Sequence, residues 1–382
     1  MSRSSQPPGV LMIHLLGRCN LECLHCYMGG SPRRREQVRL GPVVDAIREC
    51  RRLGIETVYI TGGEPLLYPG LDHVLEAAAG VEGLETVLCT NGTLLTSDHA
   101  ERFRKLGIRL HISVDGPPEF HDRFRRLQGA FRFAERGVQR AVEAGISVSI
   151  VSSISRYNLD SLEFLVNWAA ETGACQFFVQ PLLITGRGDQ IADACLSFAQ
   201  MDRMILQLTD LANRPRKKRI ECQVVGENTK LLREHPCRAY LCNGSGCHRG
   251  VSNEIKKLVI REDGCVLPEA PTLSKRYALG NVNEGSLSEL VERYFANGYS
   301  DFQALCRRTY TEVLPNWDCI VMPWDQILAE RSQGWSPGEV PSSPAHRYAH
   351  DEMAYGAWRG ISPELEPAEE NELCQIETGV GQ

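Results

Sequence analysis

Three cysteines fall within eight residues, Cys19, Cys23 and Cys26, in the run Gly17-Arg18-Cys19-Asn20-Leu21-Glu22-Cys23-Leu24-His25-Cys26-Tyr27-Met28. Gaps of three and two residues let one loop curl so that all three thiolates face a common centre. Thiolates are soft ligands that suit zinc, copper(I) or an iron–sulfur cluster. No nearby cysteine completes a set of four, so one coordination position is left open to another ligand. A structural zinc site is a closed tetrahedron and would be defective with three ligands, whereas a reactive centre needs the open position. Further along, Thr61-Gly62-Gly63-Glu64-Pro65 follows an apolar run. Paired glycines there let the backbone approach a ligand, and successive free N–H groups are expected to cradle charge.

Strand and helix patterns in alternation must position these residues. An apolar run at 10–16 reads as a buried strand, and 42–53 as a helix with Val43, Val44, Ile47 and Leu53 on one face. Strands at 57–60, 85–90, 109–114, 146–152 and 176–180 alternate with helices at 98–106, 131–144 and 159–170, the last expected to be capped by Asn158. A repeat of about 25–30 residues argues for parallel βα units joined right-handedly, an α/β fold. Six such units make a partial (β/α)6 TIM-like barrel, in which reactive residues gather at the C-terminal strand ends. Cys19, Gly62, Thr90, Ser113, Asp115, Ser153 and Gln180 all fall at such ends.

The CxxxCxxC spacing with Tyr27 directly after its last cysteine resembles the radical S-adenosylmethionine (radical SAM) family. The Gly62-Gly63-Glu64-Pro65 turn and Ser113-Val114-Asp115-Gly116 are similar to that family's GGEP and SxDG elements. The resemblance implies a [4Fe–4S] cluster on Cys19, Cys23 and Cys26, with the amino and carboxylate groups of SAM on the fourth iron. It implies a barrel over 9–213 and cofactor contacts from Tyr27, Gly62, Gly63, Glu64, Asn91, Ser113, Asp115, Ser153 and Gln180. Gly62-Gly63-Glu64 would meet the methionyl amino group, and Ser113 with Asp115 the ribose; Asp115 before Gly116 is also a good turn residue in its own right. The run 181–187, ending in Gly186-Arg187, resembles the family element after the last barrel strand.

A basic stretch at 212–219 lacks interleaved aromatic base-stackers and reads as a linker. Beyond it, cysteines thicken again at Cys237, Cys242, Cys247, Cys265, Cys306 and Cys319. A hairpin over 258–268 turning at Asp263-Gly264, the Gly280-Asn281 pair and a helix over 288–295 resemble the SPASM/twitch extension of radical SAM enzymes. That implies an α+β hairpin–helix module over 220–334 with one auxiliary [4Fe–4S] cluster on Cys247, Cys265, Cys306 and Cys319. Glu269 stands where the family carries a cysteine, so Cys237, Cys242 or an oxygen of Glu269 are the substitute ligands; a zinc site or no metal is the rival reading. Cys50, Cys89, Cys175 and Cys195 lie in helix or strand patterns and read as small buried hydrophobes. The Pro- and Glu-rich tail, 335–382, is expected to bury little and to be mobile.

At 382 residues the chain exceeds one ordinary core, and 42% hydrophobic with 24% charged residues describes a soluble globular protein. A net charge of −6 gives no reason to expect nucleic acid. No apolar run approaches about 18 residues, so no membrane span is expected. Residues 1–8 are polar, without the apolar region of a secretion signal. Fifteen clustered cysteines then favour metal-bound thiolates in the cytoplasm. Arg33, Arg34 and Arg35 read as a solvated loop, or else a docking patch for an acidic partner.

The resemblance implies reductive cleavage of SAM to a 5′-deoxyadenosyl radical and hydrogen abstraction from a substrate. The substrate expected is a peptide or protein side chain, in a maturase-type C–S or C–C bond formation or oxidation. The alternatives are a dehydrogenase acting on a small molecule or cofactor precursor, and a non-catalytic iron–sulfur or zinc protein. A low-potential electron donor of flavodoxin or ferredoxin type is implied. With the barrel beginning within ten residues, no N-terminal peptide-recognition domain is expected, so a precursor peptide would use a separate recognition protein or the C-terminal module.

Overall fold

The structure is a computed structural model that describes residues 9–216, 218–241, 251 and 254–334. Strands β1 (Gly9–His14), β2 (Ile55–Thr61), β3 (Glu85–Thr90), β4 (Arg109–Ser113), β5 (Val148–Ile154) and β6 (Gln176–Pro181) pair in succession, all parallel. Between and after them run α1 (Leu40–Glu49), α2 (Leu71–Ala79), α3 (Ser97–Lys105), α4 (Pro118–Arg125), α5 (Ala130–Glu143), α6 (Leu162–Thr172) and α7 (Phe198–Asn213). This is the expected partial (β/α)6 barrel.

The two faces of the strands differ in chemistry. Leu11, Ile13, Val58, Ile60, Leu88, Leu110, Ile112, Ile150 and Phe177 have no exposed surface and share the face that packs against the helices. The helices answer with residues at i, i+3 and i+4, such as Val43, Ala46 and Ile47 on α1 or Ala134, Val138 and Ala141 on α5. Burying each large aliphatic side chain stabilises the fold by about 1.5–3 kcal/mol. The opposite face carries Met12, Tyr59, Cys89, His111, Val151 and Phe178, all half-buried. Tyr59, His111 and Phe178 form an aromatic band there, with ring centroids 5.6 and 5.0 Å apart.

The C-terminal part is not a separate layer. After α7, β7 (Glu221–Val224) adds in parallel to β6, followed by the two-residue β8 (Glu227–Asn228) and the short α8 (Thr229–Glu234). At the other edge β9 (Lys257–Ile260) adds in parallel to β1, and β10 (Cys265–Pro268) and β11 (Gly280–Asn281) continue antiparallel. Helices α9 (Leu287–Asn297) and α10 (Tyr299–Glu312), strand β12 (Val321–Met322) paired with β8, and α11 (Trp324–Ser332) complete the described chain. One ten-stranded sheet thus crosses the expected linker at 212–219. An open six-stranded sheet leaves two edges of unpaired backbone groups, and β7 and β9 satisfy them.

The hairpin turn at Asp263-Gly264 is present, with Gly264 at φ +83°. Helix α9 opens with a capping box between Ser286 and Glu289. Two expectations need correcting. Asn158 does not cap a helix: a 3-10 turn over Leu159–Ser161 precedes α6, and the Asn158 amide bonds elsewhere. Cys175 is exposed rather than buried, whereas Cys50 and Cys195 are buried and Cys89 half-buried. No described helix is long and apolar enough to cross a membrane. Cys242, Cys247 and the tail from 335 lie outside the described residues.

Candidate cluster and cofactor site

The cysteine loop leaves β1 and is pinned by backbone bonds from four directions. Leu15 N–H donates to Thr61 O (2.9 Å), Gly17 N–H to Glu36 O (2.8 Å), Cys19 N–H to Ser31 O (3.1 Å) and Leu24 N–H to Phe124 O (2.9 Å). Each sulfur accepts an N–H: Cys19 Sγ from the Leu21 amide at 3.4 Å, Cys26 Sγ from the Gly30 amide at 3.3 Å, and Cys23 Sγ from the Arg125 guanidinium at 3.8 Å. Cys19 and Cys23 are only 7% and 6% exposed. Burial raises both thiols, Cys19 well above its usual range, so loading a metal must displace their protons. No three His, Cys, Asp or Glu side chains among the described residues converge on a single ion. Three sulfurs with N–H donors, and no fourth partner among the described residues, fit a multi-iron cluster with one iron left to an outside ligand.

The glycine pair works by close approach. A Cβ on Gly63 would lie 2.1 Å from Arg18 O, and one on Gly62, at φ +135°, 2.7 Å from Leu16 O. The N–H groups of Gly63 and Glu64 are not free to cradle a ligand, as the sequence suggested. They donate to Leu16 O (2.7 Å) and Arg18 O (2.9 Å), stitching the end of β2 to the cysteine loop. A methionyl ammonium is itself a donor and needs acceptors, so this bonding is compatible with the implied SAM contact. The Glu64 carboxylate is 1% exposed and accepts from Thr90 Oγ1 (2.7 Å), Asn91 N–H (2.9 Å) and Leu66 N–H (3.2 Å). It ties β2 to the end of β3, and burial raises its pKa. Asn91 in turn donates to Asn20 Oδ1 at 2.9 Å and points its amide at Cys19 Sγ, 4.0 Å away.

Asp115 has no exposed surface. Its Oδ2 accepts from Arg125 Nε at 2.6 Å and its Oδ1 from the Ser153 N–H at 3.0 Å, while Asn158 Nδ2 donates to its carbonyl at 2.7 Å. Burial alone would raise this carboxyl; Arg125 outweighs it and holds the pKa at about 2. Both carboxylate oxygens of Asp115, for which a ribose contact is implied, thus have partners inside the protein. Two neutral imidazoles surround the pair. His121 Nδ1 accepts the Asp115 N–H at 3.1 Å, and His25 stacks on Phe124 with centroids 4.2 Å apart, its Nδ1 buried without a partner. Burial lowers both to about 3. Ser113, Ser153 and Gln180 stand half-buried at the ends of β4, β5 and β6, as expected.

Two arginines hold the loop from outside. Arg187 Nε donates to Cys23 O (2.8 Å), its Nη2 to Gly30 O (2.7 Å) and its backbone N–H to Cys26 O (3.0 Å). Gly186, at φ +60°, must be glycine because a Cβ would lie 2.5 Å from Tyr27 O. Arg34 corrects the solvated-loop reading of 33–35: it is partly buried and donates to Met28 O (2.8 Å) and to Glu262 Oε1 (2.7 Å) at the end of β9. Tyr27 Oη lies 3.3 Å from His14 Nε2, and burial lowers that imidazole to about 4.

The expected auxiliary ligands are not brought together among the described residues. Cys265 opens β10 beside Asp263, Cys306 is enclosed in α10 near Glu269 and Lys256, and Cys319 Sγ donates to Asp202 Oδ1 at 3.1 Å on α7. Glu269 is buried at φ +62° and hydrogen-bonded by the Tyr240 hydroxyl. Cys237 is half-buried, and Cys247 and Cys242 lie outside the described residues.

Sequence reasoning missed Arg125, read Asn158 only as a helix cap and gave Arg187 no role. The signal for Arg125 was available: Phe120, His121, Phe124 and Arg125 share one face of α4, all buried. A basic residue on such a stripe needs a buried partner.

Residues 13–169 match the family model for the radical SAM superfamily, so the chain carries a radical SAM superfamily domain. Fe-coproporphyrin III synthase of Methanosarcina barkeri is 27% identical over 301 residues, 76% of this chain and 74% of that protein. The AdoMet-dependent heme synthase of the same organism is 34% identical over 197 residues, 50% of this chain and 55% of the relative. The sporulation killing factor maturation protein SkfB of Bacillus subtilis is 26% identical over 190 residues, 50% of this chain and 46% of its own. The chain thus spans only about half the length of the latter two relatives. Among solved structures, SuiB of Streptococcus suis bound to S-adenosylmethionine has the same fold, with a TM-score of 0.61 at 18% identity over 78% of this chain and 68% of that one.

Proposed function

We propose that the protein is a radical SAM oxidoreductase or maturase that takes hydrogen from a substrate held over the C-terminal ends of the barrel strands. The observation that carries this reading is the cysteine loop stitched to the Gly62-Gly63 turn, with three N–H-bonded sulfurs and no fourth among the described residues. Bound there, a [4Fe–4S] cluster and SAM supply a 5′-deoxyadenosyl radical able to attack an unactivated C–H bond. The chain's own contribution is geometry and shielding. Cys19, Cys23 and Cys26 hold the irons, and the carbonyls of 62–64 are the acceptors proposed for the methionyl amino group. Tyr27, Asn91, Ser113, Ser153 and Gln180 offer polar groups around the mouth, while Tyr59, His111 and Phe178 form a wall that excludes water. An electron donor of flavodoxin or ferredoxin type belongs to this reading.

A peptide or protein side chain is the substrate class expected from the sequence, and the partial likeness to the maturation protein SkfB supports it. A second reading, a cofactor precursor of tetrapyrrole type, is favoured by the relative that covers 76% of the chain. An auxiliary cluster in the cysteine field of the C-terminal part is also proposed; its ligands would have to be completed by Cys242 or Cys247.

The test is 5′-deoxyadenosine formation by the reduced, reconstituted protein. Cys23→Ala should abolish it, and undiminished formation sinks the assignment. Stimulation of that formation by a coproporphyrin, or by a precursor peptide, chooses between the substrate classes. Two clusters predict about eight irons per chain and about four once Cys19, Cys23 and Cys26 are removed together.

A further inference from the structure

We propose that Arg125 sets the reduction potential of the cluster held by Cys19, Cys23 and Cys26, and that Asp115 fixes how much of its charge the cluster feels. The proposal rests on the cluster reading above and adds an electrostatic role for two buried residues.

The three sulfurs are not treated alike. Cys19 and Cys26 accept from neutral backbone amides, whereas Cys23 faces a full positive charge. The guanidinium is forked, with Nη1 toward Cys23 Sγ at 3.8 Å and Nε donating to Asp115 Oδ2 at 2.6 Å. Arg125 is 7% exposed and Asp115 not at all, so mobile ions cannot reach the pair to screen it. The other titratable groups facing Asp115, His25 and His121 at 3.9 Å, leave Arg125 as its closest cation.

Both sides of the pair are tied to their neighbours by hydrogen bonds. Asp115 is locked to β5 by the Ser153 amide and by Asn158, and α4 is locked to the cysteine loop by the Leu24 amide on Phe124 O. The bond to Asp115 and the placement of α4 therefore hold the guanidinium beside Cys23 Sγ. Reduction adds an electron to the cluster, and a nearby fixed cation stabilises the reduced form more than the oxidised one. The potential of such clusters follows charge, hydrogen bonds to sulfur and solvent exposure. Arg125 supplies the first two at one sulfur, and Asp115 opposes it from a greater distance.

The experiment is an EPR-monitored redox titration of the full-length reconstituted protein, with iron content measured on the same samples. Arg125→Gln should shift the potential to more negative values, Arg125→Lys should stay nearest the unaltered protein, and Asp115→Asn should shift it to more positive values. Opposite signs are the signature of charge, because a loosened loop would move both variants the same way. An unmoved potential, or a shift of one sign in both, overturns the proposal. If Arg125→Gln does not retain iron, Asp115→Asn becomes the deciding variant: a rise in its potential supports the proposal and the absence of a rise overturns it. An unaltered protein that binds no iron at the three cysteines overturns the cluster reading instead.

Discussion

Gly63→Ala is the most direct challenge to the way β2 and the cysteine loop are joined. The added Cβ would sit 2.1 Å from Arg18 O and 2.8 Å from Gly17 O, more than 1 Å inside ordinary contact with the first. Both atoms are backbone, so neither can turn aside as a long side chain would. The strand end or the loop must move, and the two hydrogen bonds that join them, at 2.7 and 2.9 Å, must stretch. Overpacking a tight site costs about 1–3 kcal/mol. Each weakened hydrogen bond adds about 0.5–1.5 kcal/mol. The expected loss is therefore about 2–6 kcal/mol, read as a fall in the urea midpoint of the iron-free protein. Because Arg18 directly precedes Cys19, iron retention after reconstitution should fall as well. Gly30→Ala is the matched control in the same loop: its Cβ would meet Cys19 Cβ, Gly17 O and Gly63 Cα at 3.4 Å, close to ordinary contact. Wild-type stability and iron content in Gly63→Ala, or equal damage in Gly30→Ala, would refute the reasoning.

His111, half-buried in the aromatic band, is held neutral with its pKa lowered to about 4 by desolvation and then by Arg109. Its unfolded value is about 6.5, so below that pH the unfolded chain binds the proton first, and stability falls as pH drops toward 4. Over that window His111→Gln should flatten the pH dependence of the unfolding free energy, measured by urea titration, by about 1.4 kcal/mol per pH unit, and an unchanged slope contradicts the assignment. Arg34 and Glu262 form a tie between the cysteine loop and the β9–β10 hairpin, with Glu262 5% exposed. Arg34→Ala removes the hydrogen-bonded cation and leaves that carboxylate only Arg261, 3.8 Å away, and should cost about 1–3 kcal/mol. Adding Glu262→Gln should recover part of the loss, and strict additivity of the two changes would show that the pair is not coupled.

Much of the barrel was legible in the chain because its two periodicities are strong. Leu11 and Ile13 against Met12, or Val58 and Ile60 against Tyr59, alternate with the two faces of a strand, while Val43, Ala46 and Ile47 recur with the turn of a helix. The ends of β2, β4, β5 and β6 fell within three residues of expectation, and with them the positions of Gly62, Ser113, Ser153 and Gln180. The edge strands were not legible. Residues 221–224 are too short for a period to register, and only the open edge of β6 makes them a strand.

The sequence by itself determined the chemistry on offer. Three cysteines at fixed spacing, a glycine pair and an SxDG turn are properties of residue type and order, and local backbone rules place them at strand ends. Only the tertiary structure decided which groups act on that chemistry from afar. Arg125 meets Cys23 across 102 positions, Arg187 grips Cys23 O across 164, and Arg34 reaches Glu262 across 228. No local pattern encodes such pairings, since they depend on how the parallel sheet brings successive strand ends side by side. The same holds for Glu64 and Asp115, whose residue types suggested ligand contacts. Their burial commits them to internal partners, because a charge without exposed surface must be satisfied by the protein itself.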